Sequence, residues 1–102
     1  DRVRRNSVNS EQRQIERLIQ RRERLKEQIN RNLDLLIGSV GKSAAMRHHN
    51  LTTKMEGKTV TVYVRKGLVE AVRKMTARHA RVKELVAQLS KVNWELLKRT
   101  GR

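Results

Sequence analysis

The chain has 102 residues, with 25 Lys and Arg against 10 Asp and Glu, a formal charge of +15 at pH 7. Hydrophobic residues make up 36% and aromatic ones 2%, with no cysteine and no proline. That length gives one small domain, so few bulky side chains argue against a thick globular core, and the lack of cysteine excludes disulfides and thiolate metal sites.

The charge is spread along the chain. Residues 1–36 carry ten basic and six acidic groups, residues 37–67 six and one, and residues 68–102 nine and three. A basic tail on a neutral domain would not distribute this way, so the folded body itself is expected to meet a polyanion. No apolar run approaches the roughly 20 residues that span a bilayer, and no signal peptide is visible. Together with the missing cysteine, this fits a reducing, cytoplasmic setting. The chain opens at Asp1 rather than Met, which leaves open further residues upstream.

In chain order, residues 1–8 read as a basic N-terminal arm, and residues 9–100 as one helix–loop–β-hairpin–helix domain. Asn9 or Ser10 can cap a first helix, with Glu11 suited to its positive end. Ile15, Leu18, Arg22, Leu25, Ile29, Asn32 and Leu36 then follow 3-4 spacing, widened by Ile19 and Leu33, and predict an amphipathic helix that stops before Gly38. Residues 37–50 read as a loop, with at most a helical turn around residues 44–48. Leu51–Met55, a turn at Glu56-Gly57-Lys58 and Thr59–Arg65 predict a hairpin. Val60, Val62 and Val64 take one face, and Thr59, Thr61, Tyr63 and Arg65 the other. From Leu68 to Arg99 a second helix is predicted, about 48 Å long at about 1.5 Å per residue. Its stripe is Leu68, Val72, Met75, His79, Val82, Val86, Leu89, Asn93 and Leu96, reinforced by Leu85, Val92 and Leu97. Neither helix can bury its stripe alone. The expected fold is therefore mainly α: two long antiparallel helices, a helical hairpin or coiled coil, connected by the loop and the β-hairpin. An isolated two-stranded hairpin is marginal in water, so its valines dock on the helices or a second copy supplies more strands.

Ile37-Gly38-Ser39-Val40, Gly57-Lys58-Thr59 running to Tyr63-Val64, and Leu85 through Leu89 to Asn93-Trp94-Glu95-Leu96-Leu97 resemble an uncharacterised family of short prokaryotic proteins. Its members are a domain of unknown function built as helix, β-hairpin and long helix, often encoded near mobile-element genes. The resemblance covers roughly residues 33–98 and implies DNA or RNA transactions. Many members carry cysteines in the segment equivalent to Gly41–Asn50, where this chain has none. The resemblance carries over no catalytic residue.

Gly38-Ser39-Val40-Gly41-Lys42-Ser43 ends like a phosphate-binding loop, but the pattern needs a glycine at position 36, where Leu36 stands, and a preceding strand where a helix is predicted. Nucleotide hydrolysis is not supported, although Lys42 and the local amides can still meet a phosphate. The histidines are His48, His49 and His79. Adjacent histidines diverge and no third ligand has suitable spacing, so no metal and no cofactor are expected. The serines are scattered and the acids alternate with bases, as Glu27 and Arg31 do, so no enzyme is expected.

The basic rows carry the functional reading. Arg13, Arg17, Arg21 and Arg24 line the first helix; Lys74, Arg78 and Arg81, with Arg73 adjacent, line the second. Thr59, Thr61, Tyr63 and Arg65, with Thr52 and Lys54 from the partner strand, form an outward hairpin face. A two-stranded ribbon fits a major groove, where threonine and arginine reach base edges. Tyr63 can stack on an unpaired base, or simply cover a helix. Trp94 is read as an anchor against the first helix or as a dimer contact. Arg22, Asn32 and Asn93 interrupt the stripes at positions that can set register or oligomer state.

These features predict a non-enzymatic nucleic-acid-binding protein, DNA favoured over RNA. In this reading Lys42, Arg47, Lys54, Lys58, Arg65, Arg73, Lys74, Arg78 and Arg81 neutralise phosphates while Thr59, Thr61 and Tyr63 approach bases. A homodimer or a subunit of a nucleoprotein complex is expected, nucleoid-associated if DNA is the partner, with neither membrane nor small-molecule substrate. A structured-RNA accessory protein and a coiled-coil adaptor for an acidic protein are the alternatives.

Overall fold

The computed structural model describes residues 2–42 and 48–101. In order, α1 is Arg2–Arg31, β1 Ser39–Lys42, β2 His49–Met55 and β3 Lys58–Val64; a 3-10 turn, Lys66–Leu68, leads into α2, Val69–Thr100. The two long helices and the hairpin stand as expected. Other boundaries move. Helix α1 includes the residues read as an arm, so Asn9 and Ser10 lie inside it rather than at its N-terminus. It also ends at Arg31, short of Gly38.

The loop expected over residues 37–50 contains a third strand instead. The sheet has the order β1-β2-β3, both pairs antiparallel. No second copy is needed to widen the hairpin, because Ser39–Lys42 pairs with the outer edge of β2. The helical turn suggested near residues 44–48 lies almost wholly outside the described residues.

Two glycines make this sheet possible. At the hairpin tip Met55 pairs with Lys58, leaving Glu56 and Gly57 at φ 51° and 79°. Two positive φ values in a two-residue loop give the tight turn whose twist matches antiparallel strands, and glycine takes the second at no steric cost. Gly38 has φ 144°, and a Cβ there would lie 2.5 Å from the Thr52 carbonyl oxygen. That opening lets β1 settle against β2. Gly38→Ala is expected to cost at least about 1–3 kcal/mol from backbone strain alone. A thermal melt of the variant within 2 °C of the parent, by an approximate 4–8 °C per kcal/mol, would contradict this account.

The chain divides into two compact units, Asp1–Asn30 with Glu84–Arg102, and Arg31–Lys83. In the first, Leu25, Leu85, Val92 and Leu96 are buried, with Ile15, Leu18, Ile29 and Leu89 packed around them. Arg21 meets Gln88 and Arg99 meets Glu11, so partners descend along α2 as they ascend along α1: the pair is antiparallel. On α1 the expected stripe is packed at Ile15, Leu18, Leu25 and Ile29, whereas Ile19 and Leu33 are exposed and Asn32, Leu33 and Leu36 lie beyond the helix. On α2 the seam is rotated, because Leu85, Leu89, Val92 and Leu96 are covered while Val86, Asn93 and Leu97 are exposed. One partner helix covers only a narrow seam, so the second half of a wide apolar arc stays in solvent. Trp94 does not anchor α1; it is 59% exposed, with the Lys98 ammonium 5.9 Å from its ring centroid.

In the second unit the sheet is two-faced. The cross-strand partners Val40, Leu51 and Val62 share one side with Thr53, Val60, His49 and Val64. Val64 is buried there, while Val62 remains half in solvent, so the valine face is covered only in part. Ser39, Thr52, Lys54, Thr59, Thr61 and Tyr63 occupy the opposite face and are all exposed. Alternation along each strand imposes this separation.

Candidate nucleic-acid interface

Every residue proposed for phosphate or base contact, from Lys42 to Arg81, falls within the unit Arg31–Lys83. That unit holds twelve Lys and Arg but only Asp34, Glu56 and Glu70 as acids, a net +9. Compensation differs sharply between the units. In the first, Glu11 binds Arg99 at 3.1 Å, Glu23 is shared by Arg22 and Lys26, and Glu95 binds Lys98 at 2.7 Å. The hydrogen bond from Arg22, then that from Lys26, holds the Glu23 carboxyl below its ordinary range, and Lys98 does the same for Glu95. Arg13, Arg17, Arg21 and Arg24 are exposed in this more evenly balanced setting.

In the second unit, Lys74 approaches Glu70 at 3.9 Å, a long contact between two exposed groups and worth little. Lys42, Lys54, Lys58, Arg65 and Arg73 are exposed, and no carboxylate partner is found for them among the described residues. Arg47 lies outside the described residues.

The hairpin tip differs from the rest of the sheet. Strand β1 pairs only with Thr52 to His49, so Thr53–Met55 and Lys58–Val60 continue beyond it as a two-stranded ribbon. Three residues at about 3.4 Å each give a projection of about 10 Å. It carries Lys54, Lys58 and Thr59. Where β1 joins, three strands about 4.8 Å apart, with side chains, are too broad to sink edgewise into a major groove about 12 Å wide. Thr61 and Tyr63 stand on that broader part. The expected ribbon is thus confined to the tip.

The basic row on α2 is used in part by the fold. Arg78 is half-buried and its guanidinium donates to the Asp34 backbone carbonyl at 3.0 Å, while the Leu36 amide donates to the Met75 carbonyl at 3.1 Å. These bonds hold the segment after α1 against α2. Arg81 also has an interaction within the chain. Arg78→Met is therefore expected to destabilise the fold by about 0.5–1.5 kcal/mol, the net range for a hydrogen bond whose partner can turn to water. Chemical denaturation measures this; an unchanged midpoint together with weakened nucleic-acid binding would return Arg78 to the surface role.

At the other end of the sheet, Lys42, His48, His49, Tyr63, Val64 and Lys66 line a cavity of about 280 Å³. The His48 and Tyr63 rings meet edge-on at 4.7 Å. The histidines and Lys66 were not among the expected contact residues. Their grouping follows from the pairing of β1 with β2, which a loop reading of residues 37–50 conceals. Among the described residues no three of His, Cys, Asp and Glu converge as metal ligands, and no helix is long and apolar enough to cross a membrane.

No family model, no curated protein and no solved structure matches this chain. The resemblance to the short prokaryotic family therefore rests on the quoted residues alone.

Proposed function

We propose that this is a non-enzymatic nucleic-acid-binding protein that favours DNA and works through the unit Arg31–Lys83. The observation that carries the reading is the net +9 of that unit, with exposed cations beside an exposed face of hydroxyl side chains and one tyrosine. Uncompensated cations repel one another, and a polyphosphate relieves that repulsion while releasing its own counterions. Lys54 and Lys58 at the hairpin tip neutralise the phosphates flanking a groove that Thr59 enters; Lys42, Arg65, Arg73 and Lys74 neutralise further phosphates; Thr61 and Tyr63 approach bases from the sheet. The resemblance supports an accessory role for a mobile element, and a nucleoid-associated, cytoplasmic location follows from a DNA partner.

A second reading has its own support. Val86, Trp94 and Leu97 give α2 an exposed apolar strip that suits a helix of a second copy or of a partner protein. Homodimerisation through that strip is compatible with nucleic-acid binding by the other unit. Competition of duplex DNA, single-stranded DNA and structured RNA for the protein in one gel tests the main reading. Duplex DNA is expected to displace the others. Displacement by structured RNA alone would move the function to RNA, and failure of all three to bind would end the proposal.

A further inference from the structure

The end of the sheet away from the hairpin turn places Lys42 and His49 on a single rung. Lys42 closes β1, His49 opens β2 and Val64 closes β3; the register pairs Lys42 with His49 and His49 with Val64, so all three side chains leave the same face. Lys66 follows in the 3-10 turn and Tyr63 borders the cavity, its ring edge-on to His48 and 60% exposed. Among the described residues no carboxylate lines this cavity; Glu56 sits in the turn at the opposite end of the ladder and Glu70 is drawn toward Lys74. Among the described lining residues, the two lysines supply ammonium donors, and the side-chain acceptors are the Tyr63 hydroxyl and an unprotonated imidazole nitrogen.

We propose that this cavity, which opens at the strand ends and is lined from both faces of the sheet, seats one phosphate of a nucleic-acid strand, held by Lys42, Lys66 and His49, while the adjoining base stacks on Tyr63, whose side chain leaves the opposite face. The inference rests on the nucleic-acid reading above and adds to its duplex contacts a separate one: a single nucleotide whose base is unpaired, as at a duplex end, gap or frayed step. The volume, at the small end of ligand pockets, suits a phosphate and part of its sugar and excludes a duplex. Stacking needs a free base face, which paired DNA offers only at ends, gaps or frayed steps. His48, packed edge-on against Tyr63, positions that ring.

Thymidine 5′-monophosphate, thymidine and sulfate are the probes, read by NMR on the imidazole and tyrosine ring resonances of the full chain. The monophosphate is expected to shift the His49 and Tyr63 signals saturably, at least tenfold more tightly than either thymidine or sulfate. Replacing the exposed lysines in a Lys42→Ala, Lys66→Ala double variant is expected to weaken the monophosphate at least tenfold with the ring spectrum of the free protein retained. Sulfate binding as tightly as the monophosphate would remove the base from the site, and no shift with any probe would remove the site. If duplex DNA still binds the double variant with its full salt dependence while the parent ignores the monophosphate, the cavity proposal fails and the nucleic-acid reading stands. If no nucleic acid binds the parent at all, the reading beneath it fails.

Discussion

Exchanging Lys54, Lys58 and Arg65 for glutamate is expected to weaken duplex binding by about 500-fold or more at 0.1 M salt. The figure follows from counterion release. Each phosphate neutralised on B-DNA contributes about −0.9 to the slope of log affinity against log salt, so each is worth about 0.9 decade at 0.1 M relative to 1 M, and three about 2.7 decades. Charge reversal adds repulsion to that loss. If about six phosphates are engaged, the parent slope lies at about −5.4 and the variant's at about −2.7. All three side chains are exposed, so the helical circular dichroism is expected to persist. A salt titration with equal slopes for parent and variant would falsify the placement of the interface on the hairpin. A flat titration for the parent would reject phosphate binding altogether.

The largest loss of stability is expected from Leu85→Ala. Leu85 is fully buried, at 0% exposure, in the seam with Leu25, Val92 and Leu96. Truncation removes transfer free energy and leaves a cavity, together about 2–5 kcal/mol. Small domains hold only about 5–15 kcal/mol in total, so the variant should lose a large part of its margin. Val86→Ala, one position along and half-exposed, is the comparison. If the observed seam is right, Leu85 costs several times more than Val86 in chemical denaturation. Equal costs would favour the seam that periodicity alone suggests, or an interface in solution that covers Val86, Trp94 and Leu97.

Those two residues show where sequence reading succeeds and where it stops. The 3-4 spacing on α1 identifies its packed face, because Ile15, Leu18, Leu25 and Ile29 fall on one side of a helix otherwise crowded with arginine. Helix α2 offers two adjacent arcs, one through Leu85, Leu89, Val92 and Leu96 and another through Val86, Asn93 and Leu97. Spacing cannot choose between them, since the choice depends on where α1 lies. The hairpin is legible for a local reason: alternating valines and threonines flank a glycine turn. Strand β1 is not, because four residues with a single apolar side chain, Val40, have no pattern of their own. They become a strand only by hydrogen bonding to β2.

Composition and local pattern determined the charge, the absence of thiol chemistry, two long helices and a hairpin with one apolar and one hydroxyl-rich face. The fold decided which cations keep their charge available. It commits Arg78 to the Asp34 carbonyl, balances much of the helical pair's charge through Glu11, Glu23 and Glu95, and brings Lys42, His48, His49 and Lys66 to one sheet end. The physical reason is range. Charge and periodicity are properties of neighbours along the chain, whereas ion pairing and strand register depend on residues that only folding brings within a few ångströms.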